Sequence, residues 1–216
     1  MTTAIKICGL STLDSLEATI AARATHAGFV FFPKSPRHVS PAQAAALGAA
    51  AKHRITRVGL FVDADDATIA AAIAAADLDI LQFHGHESPA RAAALRAQTG
   101  LPVWKALPVA SAQDIAQASA YRGAADMILF DAKTPKGTLP GGMGLTFDWS
   151  LLAGWDAGGF PGGWGLAGGL TPANVAQAVA QTKAPLVDLS SGVESAPGVK
   201  DAAKIAALCA AVRAIA

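Results

Sequence analysis

The sequence predicts an α/β protein built as one closed (β/α)8 (TIM) barrel. Three observations carry that expectation. Short β-rich runs alternate with alanine-rich helical runs from one end of the chain to the other, the element order that produces a parallel sheet with helical crossovers. The strand candidates are nearly continuous apolar runs rather than alternating ones, as strands must be when both faces of a parallel sheet are covered. Eight such units fit within 216 residues. Minimal barrels begin near roughly 200, so residues 1–216 are expected to form a single domain. An open doubly wound sheet is the competing topology. The first strand-to-helix turn, Cys8-Gly9-Leu10-Ser11-Thr12, lacks the G-x-G-x-x-G of a dinucleotide-binding sheet.

Taken in order, Ala4–Cys8 reads as the first strand, and Gly9 breaks it before a helix that begins near Thr12. Further strands are expected at 28–32, 57–62, 79–84, 102–107, 126–131, 164–168 and 185–189. Ser40-Pro41-Ala42-Gln43 supplies an N-cap serine, a proline at the first helical position and a capping-box glutamine. Ser88-Pro89 and Thr171-Pro172 repeat the cap-and-proline arrangement. Two glycine-rich stretches stand out. Residues 136–145 follow the sixth strand, on the face where a barrel does its chemistry, and are expected to close as a lid. Residues 154–165 precede the seventh strand on the opposite face, and no function is assigned to them.

A hydrophobic content of 52% supports one large core. With 17 basic against 16 acidic residues, there is no global field to attract nucleic acid or an anionic membrane. The N-terminal residues lack the long apolar region of a signal peptide, and no apolar run approaches the roughly 20 residues needed to span a bilayer. A soluble, cytoplasmic protein is expected, with no nucleic-acid or membrane partner. The two cysteines do not make a disulfide framework. Cys209 lies in the helical pattern Ile205-Ala206-Ala207-Leu208-Cys209 and reads as core.

A barrel gathers its functional groups at the carboxyl ends of its strands. Those ends carry Cys8, the Lys34-Ser35-Pro36-Arg37 loop, Asp63, His84, Asp131, Gly168-Gly169 and Asp188-Leu189-Ser190-Ser191-Gly192. Glycine- and serine-rich loops after the seventh and eighth strands present backbone N–H groups that cradle a phosphate; the bland reading of Gly168-Gly169 is a tight turn. Cys8 is placed to act as a base or nucleophile, or is a small buried hydrophobe. Arg37 either forks onto a carboxylate or is a solvated loop arginine. Asp131 ends the apolar run Met127-Ile128-Leu129-Phe130 and serves either as an acid of raised pKa or as a brace for the next loop. His84 and His86 are read as hydrogen-bonding loop histidines rather than ligands, so no metal is expected.

The segments Lys6-Ile7-Cys8-Gly9-Leu10, Val58-Gly59-Leu60-Phe61-Val62, Leu81-Gln82-Phe83-His84-Gly85 and Phe147-Asp148-Trp149 resemble the phosphoribosylanthranilate isomerase family. So do the stretch from Gly28 through Phe32-Pro33-Lys34-Ser35-Pro36 to Arg37, the run Ala167-Gly168-Gly169-Leu170-Thr171-Pro172-Ala173-Asn174-Val175, and Val187-Asp188-Leu189-Ser190-Ser191-Gly192-Val193-Glu194. The ordered set spans essentially the whole chain. The resemblance implies an Amadori rearrangement of N-(5-phosphoribosyl)anthranilate to 1-(2-carboxyphenylamino)-1-deoxyribulose 5-phosphate in tryptophan synthesis, without metal or organic cofactor. It implies Cys8 as general base, Asp131 as general acid, Arg37 on the anthranilate carboxylate and Asp188 on a sugar hydroxyl. Gly168, Gly169, Ser190, Ser191 and Gly192 would grip the phosphate. Those roles require Cys8 as thiolate and Asp131 protonated, hence a lowered thiol pKa and a raised carboxyl pKa. The partner expected is a small phosphosugar, bound by a monomer or a homodimer. Two departures are visible: Leu145 stands where many relatives carry lysine, and the loop His84-Gly85-His86-Glu87 has histidine where an acidic residue is common. A metal-dependent pentose-phosphate epimerase and a non-catalytic phosphosugar-binding barrel are the alternatives.

Overall fold

The computed structural model describes residues 2–135 and 141–215. Eight parallel strands close a barrel in chain order: β1 (Ala4–Cys8), β2 (His26–Phe31), β3 (Thr56–Phe61), β4 (Ile80–Phe83), β5 (Val103–Val109), β6 (Met127–Ala132), β7 (Trp164–Leu166) and β8 (Leu186–Leu189). The ring shuts where β8 pairs with β1, from Ala4↔Leu186 to Ile7↔Leu189. Each expected strand is present, with ends moved by a residue or two. The helices outside are α1 (Leu13–Ala21), α2 (Pro41–Ala51), α3 (Asp66–Ala76), α4 (Pro89–Thr99), α5 (Ala112–Ala116), α6 (Val175–Thr182) and α7 (Ala202–Arg213). A short hairpin, β9 (Glu194–Ala196) with β10 (Val199–Lys200), sits between β8 and α7.

Local signals account for most helix starts. Thr12 caps α1 and Ser40 caps α2, each in a reciprocal capping box, and Ser88 caps α4 by accepting from the Arg91 amide. Thr171-Pro172 departs from its expectation. The cap of α6 is Asn174, because Thr171 opens a turn instead: its carbonyl accepts from the amides of Asn174 and Val175. The Asn174 side chain completes that turn by bonding the Thr171 amide at 2.7 Å and the Gly169 carbonyl at 3.0 Å. The loop after β7 thereby occupies the residues that would have formed the first helical turn.

The period of two along each strand sorts side chains between two cores. On β1, Ile5 and Ile7 face outward into the layer under the helices, joined there by Phe29, Phe61, Phe83 and Phe130. Inside the barrel, Val58, Ile80, Trp104, Met127, Leu129 and Leu186 form one layer, and Cys8, Val30 and Leu60 another. The unit after β6 carries only a 3-10 turn, Trp149–Leu152, as its described helical element before β7. Trp155 and Phe160 from the 154–165 stretch cover the core there, Trp155 standing edge-on to Phe130 at 4.9 Å. Cys209 of α7 is fully buried, as expected, and burial pushes its thiol up. No helix among the described residues is long and apolar enough to cross a membrane.

Candidate active site

A cavity of about 450 Å³ opens at the carboxyl ends of the strands. Cys8 reaches it from the end of β1, Asp131 from β6 and Asp188 from β8. Arg37 enters from the loop after β2, Gly168 and Gly169 from the loop after β7, and Ser190, Ser191 and Gly192 from the loop after β8. Every residue singled out from the sequence as catalytic or substrate-binding therefore meets in one place. Asp63 does not line this cavity: it takes the His86 amide at 2.6 Å and the His86 ring at 3.0 Å. His84 turns the other way, with Nε2 3.0 Å from Asp131 Oδ2. The two histidines thus serve different carboxylates, and no group of three or more metal-ligating side chains is assembled among the described residues.

Cys8 is 5% exposed and packs with Val30 and Leu60. Burial pushes its thiol above the ordinary value; the Lys6 and Lys200 ammonium groups pull it down, and Asp188 pushes it up. The direction is opposite to the lowered pKa expected from the sequence. The physical reason is that the sulfur is desolvated while the nearest cation is shared. Lys6 is fully buried, and its Nζ lies 2.8 and 2.9 Å from the two Asp188 oxygens. Burial disfavours the Lys6 ammonium, but Asp188 and Cys8 more than offset this and raise its pKa.

Asp131 is 6% exposed. Its Oδ1 accepts from the Ala132 amide at 2.8 Å, while Oδ2 meets His84. The carboxyl group is thus braced on one oxygen and paired with an imidazole on the other. Gly168 is what allows the β7 loop this close: it has φ +85°, and a Cβ there would sit 2.9 Å from Asp131 Oδ1. Gly192 is held as tightly, since an added Cβ would collide with the Leu170 carbonyl oxygen. The loops after β7 and β8 therefore pack against each other as one surface.

Arg37 does not present its whole fork to the cavity. Its Nε and Nη2 grip Glu194 at 2.7 and 2.8 Å, which leaves Nη1 as the nitrogen outside that pair. Glu194 also accepts from Lys200 Nζ at 2.7 Å, and Lys200 reaches on to the Ser190 carbonyl at 3.0 Å and hydroxyl at 3.2 Å. Burial disfavours the Glu194 carboxylate, but Arg37 and Lys200 outweigh it and hold its pKa at about 2. Because the folded value is depressed, this carboxylate stabilises the fold fully above its ordinary 4.5 and loses that contribution as pH falls toward 2. Acid titration followed by circular dichroism should show Glu194→Gln less stable than wild type at pH 6, with the gap closing toward pH 2. A gap independent of pH would count against a charged Glu194.

Of the expected lid, residues 136–140 lie outside the described residues, while Gly141, Gly142 and Met143 line the cavity. A Cβ on Gly141 would lie 2.9 Å from His84 Cε1 and 3.0 Å from Asp131 Oδ2, and the Gly142 carbonyl accepts from Arg37 Nη2 at 3.3 Å. Leu145 is 40% exposed.

A family model described as N-(5'-phosphoribosyl)anthranilate isomerase matches residues 5–211. The chain belongs to the phosphoribosylanthranilate isomerase family. The Azorhizobium caulinodans N-(5'-phosphoribosyl)anthranilate isomerase is 55% identical over 211 residues, covering 97% of this chain and 91% of its own. Among solved structures, the phosphoribosylanthranilate isomerase of Thermotoga maritima superposes with TM-score 0.86 at 33% identity, over 98% of this chain and 99% of its own. A family structure in complex with reduced 1-(o-carboxyphenylamino)-1-deoxyribulose 5-phosphate has TM-score 0.84 and 31% identity, over 98% and 99%.

Within this isomerase family framework, sequence reasoning missed the charged groups beneath and beside the site. Lys6 carried a usable signal: a lysine inside the apolar run Ala4-Ile5-Lys6-Ile7-Cys8 has to face either the core or the barrel interior. Glu194 and Lys200 carried none, because only the β9–β10 hairpin brings them to Arg37 and Ser190. His84 stands at its strand end in the sequence, but its pairing with Asp131 reaches from the end of β4 across β5 to β6, which chain order alone does not reveal.

Proposed function

We propose that Cys8 is the general base and Asp131 the general acid of the family's isomerisation in this chain, with Arg37 on the anthranilate carboxylate and Asp188 on a sugar hydroxyl. Gly168, Gly169, Ser190, Ser191 and Gly192 hold the phosphate. The reaction is the rearrangement of N-(5-phosphoribosyl)anthranilate, a step of tryptophan synthesis. The observation that carries these assignments is that Cys8 and Asp131, three strands apart around the barrel, line the same cavity as the two glycine- and serine-rich loops.

Asp131 delivers a proton to the furanose ring oxygen while the anilino nitrogen lone pair opens the ring to a Schiff base. Cys8 then removes the C2′ proton, and the resulting enolamine tautomerises to the ketone. One proton is given and one taken, so the step is an isomerisation that needs no redox partner. Arg37 Nη1, the nitrogen not engaged by Glu194, is the contact offered to the carboxylate. All of these side chains come from one chain, so the chemistry does not require a second copy.

Loss of the substrate's anthranilate-type fluorescence tests the reading. Wild type should turn over equally well with and without a chelator; a metal-dependent epimerase would lose activity, and a silent binding barrel would bind without turnover. Arg37→Met should raise KM about ten- to a hundredfold, the loss of one charged hydrogen bond, with a smaller change in kcat. An unchanged KM would remove Arg37 from the carboxylate site.

A further inference from the structure

We propose that Lys6 is a positioning residue of the reaction, setting the charge state of Cys8 from inside the barrel, and that Asp188 controls how much of its charge the sulfur feels. The proposal rests on the reading of Cys8 as the base.

The geometry comes from three adjacent strands. Lys6 and Cys8 are two residues apart on β1, so both point inward. Lys6 and Asp188 are register partners across β1 and β8, and their side chains meet at 2.8 Å in the barrel interior. Cys8 and Gly28 are register partners across β1 and β2. A Cβ on Gly28 would lie 3.0 Å from Lys6 Nζ and 3.1 Å from Cys8 Sγ. The missing side chain at Gly28 is therefore the space that ammonium and sulfur both border, while Lys6 Nζ donates to both Asp188 oxygens.

A structural role alone explains this poorly. Lys6 is among the largest fully buried side chains, and a buried ion pair is on average no more stabilising than apolar residues of the same volume. An ammonium beside a thiol, by contrast, has a direct chemical consequence: it favours the thiolate. The other charges facing Cys8 are few. Asp188 on β8 opposes ionisation and Lys200 on β10 supports it. β2 offers Gly28 and Val30 beside the sulfur and, at the level of Lys6, the His26 imidazole, which burial and the Lys6 ammonium hold down to a pKa of about 4; β3 offers Leu60. Arg37, His84, Asp131 and Glu194 line the cavity further round. Lys6 is thus the cation that borders the Gly28 gap together with the sulfur, and Asp188 is the anion that competes for it. A sugar hydroxyl donating to Asp188 would loosen its hold on Lys6, leaving more of the positive charge for Cys8 as substrate binds.

The test reads the thiol directly in the free enzyme. Iodoacetamide alkylation of Cys8 is followed against pH, with peptide mass spectrometry separating it from Cys209. Lys6→Met should move the alkylation midpoint up by about 1 to 3 pH units. Gly28→Ala keeps every charge but wedges a methyl between ammonium and sulfur, and should also move it up. Asp188→Asn should move it down. General loosening of the barrel would expose the thiol and shift all the variants alike, so a shift of one sign throughout overturns the proposal, as does a wild-type midpoint in Asp188→Asn. If Lys6→Met does not fold, Gly28→Ala and Asp188→Asn decide between them by their opposite signs. Retained turnover in Cys8→Ala would instead remove the catalytic reading while leaving this coupling measurable.

Discussion

Cys8→Ala and Asp131→Asn should each lower kcat by about 10² to 10⁴-fold, the range for losing a positioned general base or acid. Neither change should disturb the barrel. Cys8 to alanine removes one sulfur atom from a wall that already faces a cavity. Asparagine retains an oxygen for the Ala132 amide, which Asp131 accepts at 2.8 Å, and keeps the side-chain volume. Far-ultraviolet circular dichroism should therefore match wild type in both. In wild type, burial holds the Cys8 thiol above its ordinary value, so the ascending limb of kcat/KM, which reports the free enzyme's base, should lie on the alkaline side. That limb should vanish in Cys8→Ala, leaving the residual rate flat across it. Full activity in both variants would remove the mechanism while leaving the fold intact.

The second large effect concerns a buried ion pair that the sequence did not announce. Lys105 on β5 and Glu87 after β4 are 2% and 6% exposed, with Nζ 3.0 Å from Oε2. Lys105 also donates to the Gly85 carbonyl at 2.6 Å. Glu87 accepts from the Asp63 and Gly85 amides at 2.8 and 2.9 Å, and its own carbonyl takes the Tyr121 hydroxyl at 2.8 Å. This network holds the segment from His84 to Glu87, and so the imidazole beside Asp131. Lys105→Met strands a buried carboxylate and should cost about 3 to 5 kcal/mol, lowering Tm by on the order of 10 °C in a chain of this length. Glu87→Gln combined with Lys105→Met should recover part of that loss, since the glutamine carries no charge to strand. Thermal unfolding with Tm within a degree of wild type in the single variant would show that the pair is not holding the loop.

The architecture was legible because barrel strands are covered on both faces and write nearly continuous apolar runs, while Ser40-Pro41 and Ser88-Pro89 mark helix starts through contacts three residues away. Thr171-Pro172 misled because its competing partner was Asn174, whose side chain closes a turn that propensity alone does not rank above a cap. The site was legible to the depth of its strand ends. Cys8, Asp131, Asp188 and the glycine loops could be placed on one face once the strands were counted, since a closed parallel barrel has only one carboxyl end.

What surrounds those groups was decided by the tertiary structure. Whether Cys8 is readily ionised depends on the burial of its sulfur and on a lysine whose charge is shared with a carboxylate 182 positions further along the chain. Whether Arg37 meets a ligand with its full fork depends on Glu194, brought to it by a hairpin 157 residues away. The sequence by itself determined the barrel, the face that carries the chemistry and the residue types on it, because these follow from local periodicity and chain order. Only the folded chain decided their charge states and partners, because electrostatic interactions act through space, and the distances that set them exist only once β8 has closed against β1.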